Sequence, residues 1–291
     1  MERGEEIRGV YVAGLTIQIY LPDGNPNGLK ICDERNLPAK SFIIPRAMLQ
    51  EAGKLEDIKA PGVYFLFGEE DEGSKQELYI GKSENVYSRL KQHDGDKEKD
   101  FWITAVCFVS EKKNLNTAHI QVLENYFCEK ASAAKNIHLQ NSATPTKSFL
   151  SDSDREFVLS FYENAKLLLS ALRYPIFDEV KKDEKKLLFC KGKEASATGI
   201  YSETGLTVFK GSTAIIKDAP SANESIVALR NRLKESGILK QDGNAFVFTE
   251  DYRFKSPSSA SDSILGRSTN GWMEWKDKDG KTLDEKYRKS K

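Results

Sequence analysis

At 291 residues the chain is too long for one small domain and comfortable for two, and its 39% hydrophobic and 30% charged residues allow ordinary globular cores. No stretch approaches the roughly 18 apolar residues of a membrane helix, and the polar start Met1–Arg8 carries no signal-peptide pattern, so a cytoplasmic protein with no membrane partner is expected. Lys+Arg and Asp+Glu balance at 44 each, yet residues 1–180 hold 22 basic against 28 acidic side chains while residues 181–291 hold 22 against 16, which makes the C-terminal third the better candidate for attracting phosphate.

The segment Val10 to Tyr20 reads as one or two short strands, followed by the turn cluster Pro22 to Gly28. Apolar alternation returns at Leu29–Cys32 and Phe42–Ile44, which suggests a small meander ended by Pro45 and a short helix over Arg46–Ala52. After Pro61, the β-formers Gly62–Gly68 and Glu77–Gly81 make a hairpin with a long polar turn. Ser83 or Asn85 can cap the next helix, which places Val86, Leu90 and His93 on neighbouring faces. Phe101–Ser110 reads as a strand and Asn114–Lys135 as a long amphipathic helix.

Phe157–Leu172 is a further amphipathic helix, and the lysine-rich stretch Lys181–Lys193 reads as a linker or a domain boundary. Beyond it come short strands over Gly199–Ile216, a helix over Ser221–Ser236 with Gly237 at its C-terminal cap, a strand over Ala245–Phe254, and a helix opened by Ser256-Pro257 that runs to Leu265. The four cysteines, Cys32, Cys107, Cys128 and Cys190, show no CxxC and no zinc-ligand spacing. They read as small core hydrophobes in a reducing compartment.

Six features follow in order: Gly62-Val63-Tyr64, Tyr79-Ile80-Gly81-Lys82, Arg89, His93, Glu124 and Asn141. On a hairpin, Tyr64 and Tyr79 can sit across from each other on one side of the sheet. A phenol with a pKa of about 10 needs a neighbouring cation to act as a base at neutral pH, and Lys82, directly after the second motif, is well placed to supply it. Arg89 can grip a phosphate through paired hydrogen bonds, and His93 lies one turn on along the same face. Glu124 interrupts an apolar stripe, where a carboxylate needs a partner such as a hard Mg²⁺ ion. Taken singly, each has a duller reading: the tyrosines as strand aromatics, Lys82 and Arg89 as solvated charges, Glu124 as an ordinary helix residue, His93 as structural. His119 and His138 fit no position in the set.

The order and spacing resemble the GIY-YIG nuclease superfamily over roughly residues 60–150, with Val63 in place of the middle isoleucine. A stray Gly199-Ile200-Tyr201 without partner motifs shows how little the tripeptide means alone. The resemblance implies a metal-dependent DNA endonuclease that uses Mg²⁺ (or Mn²⁺) held by Glu124. Tyr64 would then be the general base or the group that positions the attacking water, Tyr79 a phosphate contact or proton-transfer group, Arg89 the phosphate clamp, His93 a member of the site, and Asn141 the residue that orients the glutamate or a phosphate. Fourteen residues separate Tyr64 from Tyr79, more than in compact members, and the inserted Glu69-Glu70-Asp71-Glu72 is acidic. Such a tip would repel DNA unless it extends clear of the substrate, and it could also bind a partner.

The C-terminal residues, especially Ser256–Ala260 and Asn270–Trp275, are similar to domains associated with restriction and adenine-methylation systems. Trp272 and Trp275 with Arg267 and Lys276 would offer stacking and phosphate contacts, against the plainer reading that tryptophans close a small core. The fold expected is α+β. A β-rich extension over 1–58 precedes a nuclease domain over 59–150, a short, mostly antiparallel sheet flanked by helices. A helix and charged linker over 151–192 leads to a small α+β DNA-recognition module over 193–291. The function expected is DNA cleavage in restriction, defence, repair or mobile-element biology, with double-strand cleavage requiring a homodimer or sequential nicking. The rival readings are a non-catalytic DNA-binding protein that retains the nuclease fold, and an interaction protein whose acidic and basic parts pair.

Overall fold

The computed structural model describes residues 16–34, 39–110, 115–134, 137–141, 150–177 and 182–289. The start of the strand expected from Val10, Ser142 and Lys181 lie outside these residues. The described residues form two compact units that exchange chain segments. The first gathers Met1–Leu66, Ile80–Phe127 and Ala143–Tyr174; the second gathers Phe67–Tyr79, Cys128–Ser142 and Pro175–Lys291.

In the first unit the alternating apolar runs become β1 (Ile17–Tyr20), β2 (Lys30–Glu34) and β3 (Ala39–Pro45). Pro45 breaks the sheet and is followed by a short α1 (Leu49–Ala52). Then come, in chain order, β4 (Gly62–Gly68), β5 (Gln76–Ser83), α2 (Val86–Asp94), β6 (Trp102–Ser110), α3 (Thr117–Ala134), β7 (Ile137–Leu139) and α4 (Asp152–Ala171), of which β7, the end of α3 and the first half of β5 group with the second unit. The strands lie in the order β1-β2-β3-β6-β4-β5-β7. The β1/β2, β2/β3 and β3/β6 pairs are antiparallel, with Phe42 opposite Cys107 and Ile44 opposite Ala105, and β5/β7 is parallel.

β4 is buried along its whole length, which explains why its sequence is continuously apolar rather than alternating. Around it the core is aromatic: Phe65 meets Phe108 and Phe127 edge to face with centroids 5.9 and 5.0 Å apart, and Phe108 meets Phe161 of α4 at 6.2 Å. Ser151 caps α4 by accepting the Asp154 N–H. This packing fixes the sheet on which the candidate site stands.

In the second unit, β8 (Leu188–Lys191), β9 (Ser196–Ser202), β10 (Gly205–Val208), β11 (Thr213–Ala214), α5 (Glu224–Glu235), β12 (Leu239–Asp242), β13 (Ala245–Phe248), β14 (Tyr252–Phe254), α6 (Pro257–Leu265), α7 (Gly271–Glu274) and α8 (Leu283–Tyr287) follow in order. They build two sheets, β14-β10-β9-β8 and β11-β13-β12. Two sequence expectations are corrected here. The lysine-rich stretch is not all linker, because Leu188 and Cys190 of β8 enter the core. The single strand expected over Ala245–Phe254 is two strands in different sheets; between them Asp251 accepts the Lys210 backbone N–H.

Trp275 is fully buried and donates its indole N–H to the Pro257 carbonyl at 3.1 Å. Arg230, 1% exposed, pairs with Asp218 at 2.6 Å and donates to the Ile215 and Ser263 carbonyls. Among the described residues no helix is long and apolar enough to cross a membrane.

Candidate active site

Tyr64 leaves the middle of β4 with only 1% of its surface exposed. Its ring lies against Gly81: a Cβ at that position would sit 2.3 Å from Tyr64 Oη and 2.4 Å from Cζ. The glycine of the second motif is therefore a steric requirement of the tyrosine of the first. From Gly81 the chain turns at Ser83 into α2, whose cap Asn85 accepts the Ser88 N–H at 3.0 Å. The helical period then buries Val86, Leu90 and His93 together.

That burial brings His93 Nε2 to 2.8 Å from Tyr64 Oη, with ring centroids 5.6 Å apart. Burial, then the positive charges of Arg89 and Lys99, push the His93 pKa down to about 4; Asp96 partly opposes them. The imidazole is thus neutral at neutral pH. A neutral ring with its proton on Nδ1 presents Nε2 as an acceptor for the phenolic O–H.

Arg89 is exposed on the same helix and donates to Gln92 Oε1 at 2.7 Å. Glu124 is half-buried on α3. Burial raises its proton affinity, opposed by the charge and backbone N–H of Lys82, then by Arg89 and by the Gln121 amide at 3.3 Å. Lys82, expected from sequence to serve the phenol, acts electrostatically on the carboxylate as well. Arg89 acts electrostatically on both His93 and Glu124, which ties Tyr64, Lys82, Arg89, His93 and Glu124 into one neighbourhood.

Tyr79 and Asn141 fall in the second unit. Tyr79 is half-buried on β5, on the strand side opposite the buried Leu78 and Ile80. Asn141 follows Gln140, whose backbone N–H donates to the Leu78 carbonyl at 2.7 Å. In the C-terminal module, Trp272 is half-buried with Tyr201 edge-on at 5.3 Å and the Arg288 guanidinium 3.7 Å above its ring. Arg267 is paired with Glu274 at 2.9 Å and Lys276 is exposed. With Trp275 closed into the core, Trp272 is the tryptophan with accessible surface.

Sequence reasoning missed two contributors. Gln121 stands one turn before Glu124, so helical spacing could have found it. Lys99, which helps keep His93 neutral, belongs to a short 3-10 turn over Lys97–Lys99, and no periodicity marks it.

Among the described residues no three His, Cys, Asp or Glu side chains gather into a metal cluster. A single half-buried carboxylate beside an amide fits a hard divalent cation that keeps most of its waters, which is how Mg²⁺ is commonly held. The raised proton affinity of Glu124 points the same way, since a carboxylate partly removed from water favours a positive partner.

Compared with known families, residues 60–133 match the GIY-YIG catalytic domain, and residues 188–287 match a domain of unknown function, DUF4357. The first match encloses Tyr64, Tyr79, Lys82, Arg89, His93 and Glu124; Asn141 lies beyond it. No curated protein and no solved structure matches the chain.

Proposed function

Because the chain carries a GIY-YIG catalytic domain, the mark of a nuclease superfamily, and a DUF4357 domain after it, we propose that it is a divalent-metal-dependent DNA endonuclease. The observation that carries this reading is the buried hydrogen bond between Tyr64 Oη and a His93 held neutral.

In this mechanism a water attacks the scissile phosphorus and gives its proton to Tyr64 Oη. The phenol passes its own proton to His93 Nε2, so no free phenolate has to accumulate at neutral pH. A new P–O bond forms from the water oxygen, and the bond to the leaving sugar oxygen breaks. The exposed Arg89 guanidinium holds the phosphate oxygens bidentately. Lys82 would oppose the protonation of Glu124 that its burial favours. A divalent cation on Glu124 would neutralise charge at the phosphate and leaving oxygen. Tyr79 would contact the phosphate, and Asn141 would orient the glutamate or a phosphate.

The C-terminal part, with 22 basic against 16 acidic residues from Lys181 onward, would bring duplex or single-stranded DNA to the centre. Trp272, Arg267 and Lys276 would contribute there, and Trp275 would support them from the core. Restriction, defence, repair and mobile-element roles all fit this chemistry.

The test is incubation with plasmid and with single-stranded DNA, in Mg²⁺, in Mn²⁺ and in chelator, beside Glu124→Ala. Metal-dependent cleavage by the wild type alone supports the assignment. Cleavage by both proteins, or by neither, removes it.

A further inference from the structure

The acidic turn between β4 and β5, which the catalytic chemistry does not use, is held by the C-terminal module. Gly73 is the centre of the grip. Its φ is +101°, a region that L side chains rarely adopt. A Cβ there would lie 2.8 Å from Arg232 Cβ and 3.0 Å from Leu229 Cδ1, so the turn is pressed directly onto α5. Both polar backbone groups of Gly73 are satisfied by side chains of the module. Its N–H donates to Tyr252 Oη at 2.6 Å, and its carbonyl accepts from Ser236 Oγ at 2.9 Å.

Glu72 is bound at both ends. Its carbonyl accepts from Arg232 Nε at 2.6 Å, and its Oε1 accepts from the Lys255 backbone N–H at 2.9 Å and from Ser259 Oγ at 2.7 Å. Lys255 Nζ also reaches the Glu70 carbonyl at 3.1 Å, and Lys75 pairs with Glu250 at 2.7 Å. A turn of two to four polar residues would close the hairpin equally well. The added length is matched group by group with donors and acceptors drawn from α5, β14 and α6.

We propose that the module is a receptor built for this hairpin tip, and that Glu72 is a positioning residue through which it fixes the strands carrying Tyr64 and Tyr79. β4 and β5 run without a break from the gripped turn to those tyrosines. A proton relay through a 2.8 Å hydrogen bond tolerates little movement of either strand. The grip itself is independent of the nuclease reading; its effect on turnover rests on that reading.

The experiment uses the full chain as wild type, Glu72→Ala, Glu72→Gln and Gly73→Ala. Backbone amide exchange is followed across 62–83 and 252–259, with cleavage kcat and KM alongside. Glu72→Gln keeps a side-chain oxygen that can accept both hydrogen bonds, so it serves as the rescue. Glu72→Ala and Gly73→Ala are expected to speed exchange about 10-fold or more at the tip, with faster exchange spreading to 62–66 and 80–83 while other core amides keep their protection. In these two variants kcat falls about 10-fold and KM for DNA holds, and Glu72→Gln restores both readouts.

Unchanged tip protection in both variants overturns the receptor. Loosening confined to the tip, or loosening with kcat intact, overturns the positioning role. Uniform loss of protection across the chain also overturns it, since that reports general unfolding. If the wild type cuts no DNA, the nuclease reading fails, while the spread of exchange from the tip to 62–66 still decides the proposal.

Discussion

Tyr64 Oη and His93 Nε2 stand 2.8 Å apart with 1% and 4% of their residues' surfaces exposed, a phenol and an imidazole sealed together between β4 and α2. Tyr64→Phe deletes one oxygen and keeps the ring against Gly81. It is expected to slow single-turnover DNA cleavage by about 10²-fold or more. His93 Nε2 loses a buried partner, at a cost of about 1–3 kcal/mol. A Tyr64→Phe protein that cleaves at the wild-type rate would exclude the relay.

His93 also predicts an acid limb in stability. Its folded pKa of about 4 lies below the ordinary 6.5, so between those values the unfolded chain binds a proton that the folded chain refuses. Stability therefore falls as pH drops from about 6.5 towards 4, by up to about 3 kcal/mol, and is indifferent to this group above 6.5. Urea midpoints measured across that window should slope less in His93→Gln than in the wild type. Equal slopes would mean that the histidine is not held neutral by the fold.

For Glu124 the sign is opposite. Burial raises its proton affinity, so the ionised form burdens the fold as pH rises past the ordinary carboxylate range. Glu124→Gln should melt at or above the wild-type temperature and yet lose metal-dependent cleavage. A variant that melts lower and still cuts would reverse both halves of the argument.

Gly81→Ala places a methyl group within 2.3 Å of Tyr64 Oη. The ring must shift away from His93, so an overpacking loss of about 1–3 kcal/mol should come with near-complete loss of cleavage. Thermal melts and cleavage assays on the same preparation check both, and an active, stable Gly81→Ala would show that the ring has room to spare.

In the C-terminal module, Arg230→Ala removes a buried guanidinium that serves Asp218 and the Ile215 and Ser263 carbonyls. The expected loss is about 3–5 kcal/mol, visible as an early melting transition. Arg230→Met, of similar length and apolar, should lose less because it fills the space that alanine leaves empty, while Asp218 loses its partner in both. Equal losses in the two variants would place the cost in the lost ion pair and hydrogen bonds rather than in packing.

The order of Tyr64, Tyr79, Lys82, Arg89 and Glu124 was readable because side-chain types and spacing survive in one dimension. The α2 face of Val86, Leu90 and His93 was readable from its period. What spacing does not carry is approach between distant positions, so Tyr64 meeting His93 twenty-nine positions on, and Lys82 acting electrostatically on Glu124, had to come from three dimensions. β8 escaped notice because lysines on either side masked the buried Leu188 and Cys190. Glu69–Glu72 read only as an acidic tip clear of the substrate or bound to a partner, because a carboxylate gives no sign in sequence of which distant donors it will meet.

The exchange of chain segments between the two units bears on how such a protein could arise. The stretch Phe67–Tyr79 groups with Pro175–Lys291, although the catalytic-domain match runs straight through it from 60 to 133. Gene fusion alone would append the later domain but would not supply the glycine and the carboxylate that it grips. The hairpin tip and the surface that receives it are a matched pair, Glu72 and Gly73 on one side and Arg232, Ser236, Tyr252, Lys255 and Ser259 on the other. A library that shuffles this module onto other nucleases should yield working chimaeras only where residues 69–75 travel with it.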